Sequence, residues 1–370
     1  MDALSGLRVV DMATVVAGPG TGKYFADFGA DVVKVEAPGG DPVRRMGWTA
    51  EGEVDSFFWK ILGRGKRCIT LDLKESVDLA RMRKLLDKAD LLIENMRPGK
   101  LEALKLAPEL LWKTNPKLVI LRVTGFGQDG PYAQKPGFAT LAEAMSGYSD
   151  LTGEPDGAPQ LPPIAVTDEV TALVGAFAAM TAIRHAERTG EGQVVDVNLL
   201  ESVFQLMGPL PAAFADSGYL QPRLGSGIPY SVPRGTYLCS DGVWVAISTS
   251  AETVAARVLG LLGVQDDPRF KTFQDRSNNR AELEKLMKSW VEALPSTEVF
   301  AMFEQVDAAI APILNMEAIS RDPHYIFREA LIDVDGVRMQ NVVARLSKTP
   351  GRIRFAGKQL GADNELGIWE

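Results

Sequence analysis

Two histidines and two cysteines in 370 residues exclude a good deal of chemistry. His185, in Arg184-His-Ala-Glu-Arg188, and His324, in Asp322-Pro-His-Tyr325, stand near no serine or cysteine motif such as Gly-x-Ser-x-Gly. A hydrolytic histidine needs a nucleophile on one side and an orienting group on the other. That class is therefore disfavoured, as is a zinc enzyme. Cys68 and Cys239 are far apart and form neither a metal nor a redox spacing, so a reducing compartment is the default. An excess of positive charge is also missing: the net charge is −8. General nucleic-acid binding relies on a basic footprint and is disfavoured. Any anionic ligand must be met by a local patch. The first residues, Met1-Asp-Ala-Leu-Ser-Gly6, carry no basic n-region and no long apolar run, so no signal peptide is visible. The longest apolar stretch, after Glu169, reads as short of the roughly 20 residues that span a bilayer. Internal repeats and low-complexity tracts are absent. The reading is a cytoplasmic protein without a metal, nucleic-acid or membrane partner.

What is present is ordinary globular material, 46% hydrophobic and 24% charged. The length suggests about two domains. Strand-like runs recur at Leu7–Met12, Asp31–Glu36, Cys68–Leu73, Leu91–Asn95, Leu118–Val123 and Val194–Asn198, with helical patterns between most of them. This alternation predicts a Rossmann-like α/β domain with a mainly parallel six-stranded sheet, over residues 1–208. The runs are nearly continuous in apolar character, as expected where helices cover both faces. Residues 209–233 are rich in proline and glycine and read as a linker. Beyond it, Thr236–Ile247 reads as a hairpin turning at Ser240-Asp-Gly242, with helices at 253–262, 280–294 and 297–305. That is a smaller α+β domain over 234–321.

Ala17-Gly-Pro-Gly-Thr-Gly-Lys23 looks like a phosphate loop but fails at both ends, with Ala17 first and Tyr24 after the lysine. The dinucleotide fingerprint fails at its third glycine, where Lys23 stands, although Glu36 ends the next strand where a ribose-binding acid sits. A tight turn is the simpler reading. Gly63-Arg-Gly-Lys-Arg67 sets three cations before a strand; Lys74 follows that strand, and Arg97 and Lys100 follow the next. Cations at strand ends suit phosphates, and a solvated basic loop is the plain alternative.

Asp168 and Glu169 head a helix of small and apolar residues, Val170–Ile183, which reads as buried. Asp168 can cap that helix, as can Thr167. Alternatively a carboxylate attacks an activated acyl group. A helix N-terminus stabilises the anion, so this reading expects a weakly basic Asp168 and a highly activated electrophile such as a thioester.

Several segments in order carry a resemblance. They are Leu7-Arg-Val-Val-Asp11, Ala17-Gly-Pro19, Phe28-Gly-Ala-Asp-Val-Val-Lys-Val-Glu36, Gly40-Asp-Pro42, Lys66-Arg67 with Leu71-Asp-Leu-Lys74, Glu94-Asn95 with Arg97-Pro-Gly99, Gly125-Phe-Gly127, Gly190-Glu-Gly-Gln193 and Asp322-Pro323. Together they resemble the family III CoA-transferases, the group of formyl-CoA transferase and crotonobetainyl-CoA:carnitine CoA-transferase. The resemblance implies Asp168 as nucleophile, with Glu169 a bystander. The course it implies is a mixed anhydride, then an aspartyl-CoA thioester, with acyl-CoA and a small carboxylic acid as substrates. It places Leu71, Lys74, Asn95 and Met96 around the CoA nucleotide. By charge, Arg97 and Lys100 are further phosphate candidates. It also implies that residues 322–370 return to the large domain and that two chains interlock as rings in a homodimer.

The chain departs from the pattern at several places. Val16 stands where formyl-CoA transferase has glutamine, Phe138 where it has tyrosine, and Ala103 near an arginine that helps hold CoA. Gly225–Pro233 replaces its glycine-rich loop. Racemases of this group carry Gly-His-Asp where this chain has Gly137-Phe-Ala139, and phenylalanine moves no proton. An intramolecular CoA-transfer isomerase, a racemase-like enzyme, and a CoA-binding protein in which Asp168 is only a cap stay as alternatives. Arg44, Arg45, Arg223 and Arg234 are candidates for reading a second carboxylate.

Overall fold

The computed structural model describes residues 1–369. Contacts divide the chain into two compact units. The first holds Met1–Tyr148, Leu161–Pro209 and the chain from Pro323 onward; the second holds Ser149–Gln160 and Leu210–Asp322. Two boundaries differ from the sequence expectation. Residues 149–160 leave the first unit for the second. The stretch read as a linker opens with a helix, Leu210–Ser217, inside the second unit. Proline at its second position is compatible with a helical first turn, which is why a proline-rich stretch can still be helical here.

The first unit is built on six parallel strands: β1 (Arg8–Asp11), β2 (Asp31–Glu36), β3 (Arg67–Thr70), β4 (Leu91–Glu94), β5 (Val119–Thr124) and β6 (Val194–Asn198). Their order is β3-β2-β1-β4-β5-β6, and every neighbouring pair is parallel. Successive strand residues point to opposite faces, which explains the unbroken apolar runs. Val9, Val32, Leu91 and Val119 join one core; Val10, Val33, Leu92 and Ile120 join the other. Helices α1 (Ala17–Asp27) and α2 (Ser76–Leu86) contribute to opposite cores, through Phe25 and Ala26 and through Met82, Leu85 and Leu86.

Two further helices matter for the site: α3 (Ala139–Met145) and α4 (Val166–Thr189). By length and composition α4 is long enough to cross a bilayer, which corrects the shorter apolar stretch read from sequence. Its buried residues, Thr167, Thr171, Ala172, Gly175, Ala179, Ala182, Ile183 and Ala186, recur at helical spacing and pack against α1, β5 and β6. The other face is not buried: Leu173 and Phe177 are exposed. Crowding around α1 explains the glycines of Ala17–Lys23: a Cβ on Gly18 would lie 2.3 Å from Ala13 and one on Gly22 2.8 Å from Asp11. A Cβ on Gly20 would lie 2.9 Å from Ala172, and Thr21 Oγ1 donates to the Ala172 carbonyl at 3.1 Å. These glycines are packing residues within a helix, not a phosphate loop.

In the second unit, β7 (Arg234–Leu238), β8 (Trp244–Ser248) and β9 (Ala309–Pro312) form an antiparallel sheet in that order. Helices 252–261, 280–292 and 296–305 cover it around Tyr237, Val245, Ile247, Met287 and Phe303.

Candidate active site

The periodicity of the sequence starts the long helix at Val170, but α4 begins one turn earlier. Asp168 and Glu169 therefore lie in its first turn. Neither Thr167 nor Asp168 caps it; the N-cap is Ala165, and no side chain supplies a capping bond. Thr167 is buried and donates its hydroxyl to Glu143 Oε1 at 2.9 Å. Glu143 is itself buried, the single charged residue of α3.

The two neighbouring carboxylates are treated differently. Glu169 faces Lys23 Nζ at 3.4 Å and accepts a 3.0 Å hydrogen bond from the Tyr24 hydroxyl. Burial, then Glu169, push the Tyr24 phenol up. The Asp168 carboxylate has no hydrogen bond or ion pair among the described residues. Burial, then Glu143 and Glu169, push its carboxyl up from 3.8 to about 6. This overturns the expectation of a weakly basic Asp168. A macrodipole contribution of about 0.3–1 kcal/mol is outweighed by desolvation beside two like charges with no donor on the carboxylate. Nothing in the local sequence marks Glu143 as its neighbour, beyond a lone charge in a small, apolar helix.

The other candidates gather mostly at the carboxyl ends of the strands. Strand order reverses between β1 and β4, and open α/β sheets bind ligands in the crevice outside such a point. Asn95, after β4, bridges that crevice. Its Oδ1 accepts from the Thr14 N–H at 2.9 Å and its Nδ2 donates to the Thr14 carbonyl at 2.8 Å. The Met96 N–H donates to Glu94 Oε2 at 2.6 Å, and the Met96 side chain lies against the core. Arg97 and Lys100 are exposed, as is Lys74 after β3. Among the described residues none of these three cations has an ion pair. Phe138 is 66% exposed just before α3. The side chains of Val16 and Leu71 are buried in the core, which leaves their main chain to face the crevice. No hydrogen bond or ion pair among the described residues joins Asp168 to the crevice group.

The cations before β3 are not a ligand patch. Arg64 pairs with Asp27 at 2.6 Å, Lys66 with Asp11 at 2.8 Å, and Arg67 with Asp31 at 2.6 Å. Arg44 is likewise engaged: it is buried, bonds Glu36 at 2.7 Å and Asp55 at 2.9 Å, and lies 3.6 Å over the Trp59 ring. Arg223 faces Asp150 at 3.4 Å, and Arg234 donates to the Ser226 carbonyl. Arg45 is exposed and donates to the Gly39 carbonyl. Both cysteines are free and buried.

Comparison with known proteins bears on this arrangement. The model of CoA-transferase family III matches residues 4–364. The succinyl-CoA–D-citramalate CoA-transferase of Chloroflexus aurantiacus is 36% identical, over 98% of this chain and 92% of that protein. The succinate–glutarate CoA-transferase of Agrobacterium fabrum is 33% identical, over 97% of this chain and 93% of that protein. Among solved structures, a CaiB/BaiF family protein from Brucella suis superposes with a TM-score of 0.87 at 32% identity, covering 98% of this chain and 97% of that one.

Proposed function

The chain belongs to family III of the CoA-transferases and so moves CoA between an acyl-CoA and a carboxylic acid, and from that premise we propose that its donor is succinyl-CoA, its acceptor a short dicarboxylic acid and its nucleophile Asp168. The single observation that carries the nucleophile is the contrast in the first turn of α4. Asp168 is basic for a carboxylate and unpartnered, while Glu169 is tied to Lys23 and Tyr24.

In this reading a carboxylate oxygen of Asp168 attacks the thioester carbonyl. The C–S bond breaks, leaving CoA thiolate and a mixed anhydride. The thiolate attacks the aspartyl carbonyl; the anhydride C–O bond breaks, succinate leaves, and aspartyl-CoA remains. The acceptor carboxylate attacks this thioester and again expels the thiolate. The thiolate then takes the acceptor acyl group from the second anhydride and frees the Asp168 carboxylate. Raised basicity favours the one attack made by Asp168. Lys74, Arg97 and Lys100 meet the phosphates of CoA at the carboxyl ends of β3 and β4, with Met96 and the main chain of Val16 and Leu71 beside them. Phe138 lines the approach.

The substrate proposal leans on relatives whose names join succinyl-CoA or succinate to citramalate, glutarate and, in Haloarcula hispanica, mesaconate. Arg45 is the candidate for the acceptor's second carboxylate. We read the enzyme as a cytoplasmic homodimer. In support, Leu141, Met145, Leu173, Phe177, Phe204 and Leu206 of the first unit are exposed apolar residues that a second copy would cover.

Incubation with succinyl-CoA and a panel of citramalate, malate, glutarate and mesaconate, read by mass, tests this. New acyl-CoAs are expected, and Asp168→Ala should reduce transfer by about a thousandfold or more. Transfer that persists in Asp168→Ala removes Asp168 from the mechanism.

A further inference from the structure

We infer that the turn Ala13–Val16 is a strained, clamped support for the acyl-CoA at the β1/β4 crevice, and that Asn95 and Asp41 are its positioning residues. This rests on the reading that CoA binds in that crevice. Ala13, Thr14 and Val15 are each held by a side chain from outside the turn. The Ala13 N–H donates to Asp11 Oδ1 at 3.1 Å, and Lys34 donates to the Ala13 carbonyl. Asn95 holds both the N–H and the carbonyl of Thr14. The Val15 N–H donates to Asp41 Oδ1 at 3.1 Å. Asp41 is fixed in turn: buried, it pairs with Lys34 at 3.0 Å, accepts from the Val43 N–H at 3.0 Å, and donates its own N–H to Glu36 Oε2 at 2.8 Å.

The clamp holds an unfavourable conformation. Val15 has a φ of 69°, the left-handed region, which a β-branched residue rarely enters. Such a residue persists only where its surroundings over-determine it, and strain of this kind gathers at ligand sites. For stability alone, glycine or asparagine would serve better at this position. The turn leads directly into α1, whose first turn has no capping side chain. Across the crevice, the loop after β4 is fixed as well, through Glu94 and Asn95. Asn95 is thus reassigned. Both its amide oxygen and its nitrogen are engaged by Thr14, so its side chain shapes the crevice instead of reading the ligand.

Asn95→Ala and Val15→Gly test the clamp, with KM and kcat for succinyl-CoA, CoA binding by calorimetry, and thermal melting. Asn95→Ala should raise KM about tenfold and leave kcat within about threefold, the pattern of lost binding. Val15→Gly should raise KM about threefold while Tm stays level or rises, because glycine accepts the conformation without strain. A merely structural role does not move binding and stability apart in this way. KM unchanged in Val15→Gly, or rising only as Tm falls, overturns the proposal, and this holds even if Asn95→Ala fails to fold. The combined Lys74→Ala, Arg97→Ala, Lys100→Ala variant separates the premise from the clamp. If it keeps full CoA affinity, CoA binds elsewhere and the proposal fails with its premise. If it loses affinity while Val15→Gly binds normally, the crevice stands and the clamp alone is wrong.

Discussion

Two groups of three cations flank β3 and β4, and they look alike in the sequence. Arg64 and Lys66 precede β3 and Arg67 opens it; Lys74, Arg97 and Lys100 follow β3 and β4. The first group is matched charge for charge by Asp27, Asp11 and Asp31. The second has no ion pair among the described residues. A buried cation must be paired, because its desolvation is several kcal/mol; an exposed one at the carboxyl end of a strand stays open to a ligand. The same division runs through the adjacent carboxylates, with Glu169 partnered and Asp168 not. Density of charge in the chain therefore says little. The side of the strand and the presence of a counter-ion decide which group builds the fold and which awaits a substrate.

The sharpest way to break this contrast is Lys66→Ala. Lys66 is fully buried and also donates to the Pro19 carbonyl at 2.6 Å, so its loss leaves the buried Asp11 with only Lys34, 3.8 Å away, as a counter-ion. We expect a loss of about 3–5 kcal/mol, measured by urea unfolding, with unchanged CoA affinity in the molecules that remain folded. A loss below about 1 kcal/mol would put Lys66 in the same class as the exposed group. The mirror experiment has a smaller effect on the fold. Lys74→Ala, Arg97→Ala and Lys100→Ala, made singly, should each leave stability within about 0.5 kcal/mol and weaken CoA about tenfold, with a shallower salt dependence.

How far the chain could be read follows from the same physics. Strands of the parallel sheet were legible because helices on both faces demand unbroken apolar runs such as Leu91–Ile93. Lys74, Arg97 and Lys100 were legible as candidates because their place after a strand is a local property. The partners of Arg64 and Lys66 lie 37 and 55 residues away, so no local pattern could separate the paired cations from the free ones. Glu143 and Asp41 are remote for the same reason, and no pattern announces the left-handed Val15. One local signal went unread: Asp335-Gly336, both with positive φ, turns the hairpin Leu331–Val334 with Val337–Gln340.

Among the carboxylates, Asp168→Asn sharpens the contrast through stability. The folded state raises this carboxyl to about 6 from its ordinary 3.8, so folding disfavours its ionisation. Stability is full below the ordinary value, falls as pH rises toward about 6, and stays reduced above it. Asp168→Asn should therefore be more stable than the natural protein at pH 7. We expect about 1–2 kcal/mol, discounted for partial exposure, with the advantage gone near pH 3.5. An inactive but stabler variant is what a functional site held at a thermodynamic disadvantage produces. Equal stability at pH 7 would mean that the carboxyl is not raised in the folded protein.

The smallest expected effect is the most specific. The groups that face Asp168 are Glu143 from α3 and Glu169 from its own helix, and Glu169 is offset by Lys23. Glu143→Gln keeps the shape and the Thr167 hydrogen bond but removes the unbalanced charge. Asp168 should then ionise more readily, so the acid limb of kcat/KM, expected near pH 6, should move to lower pH. The plateau at neutral pH should fall about two- to fivefold, since a less basic carboxylate is a weaker nucleophile. Glu169→Gln should move the limb less, because the Glu169 carboxylate is 42% exposed, is screened by water and raises the Asp168 carboxyl less than Glu143 does. If the two variants shift the limb equally, or Glu169→Gln shifts it more, the partnered carboxylate governs Asp168, and the division between engaged and free charges fails at the one place where it bears on the chemistry.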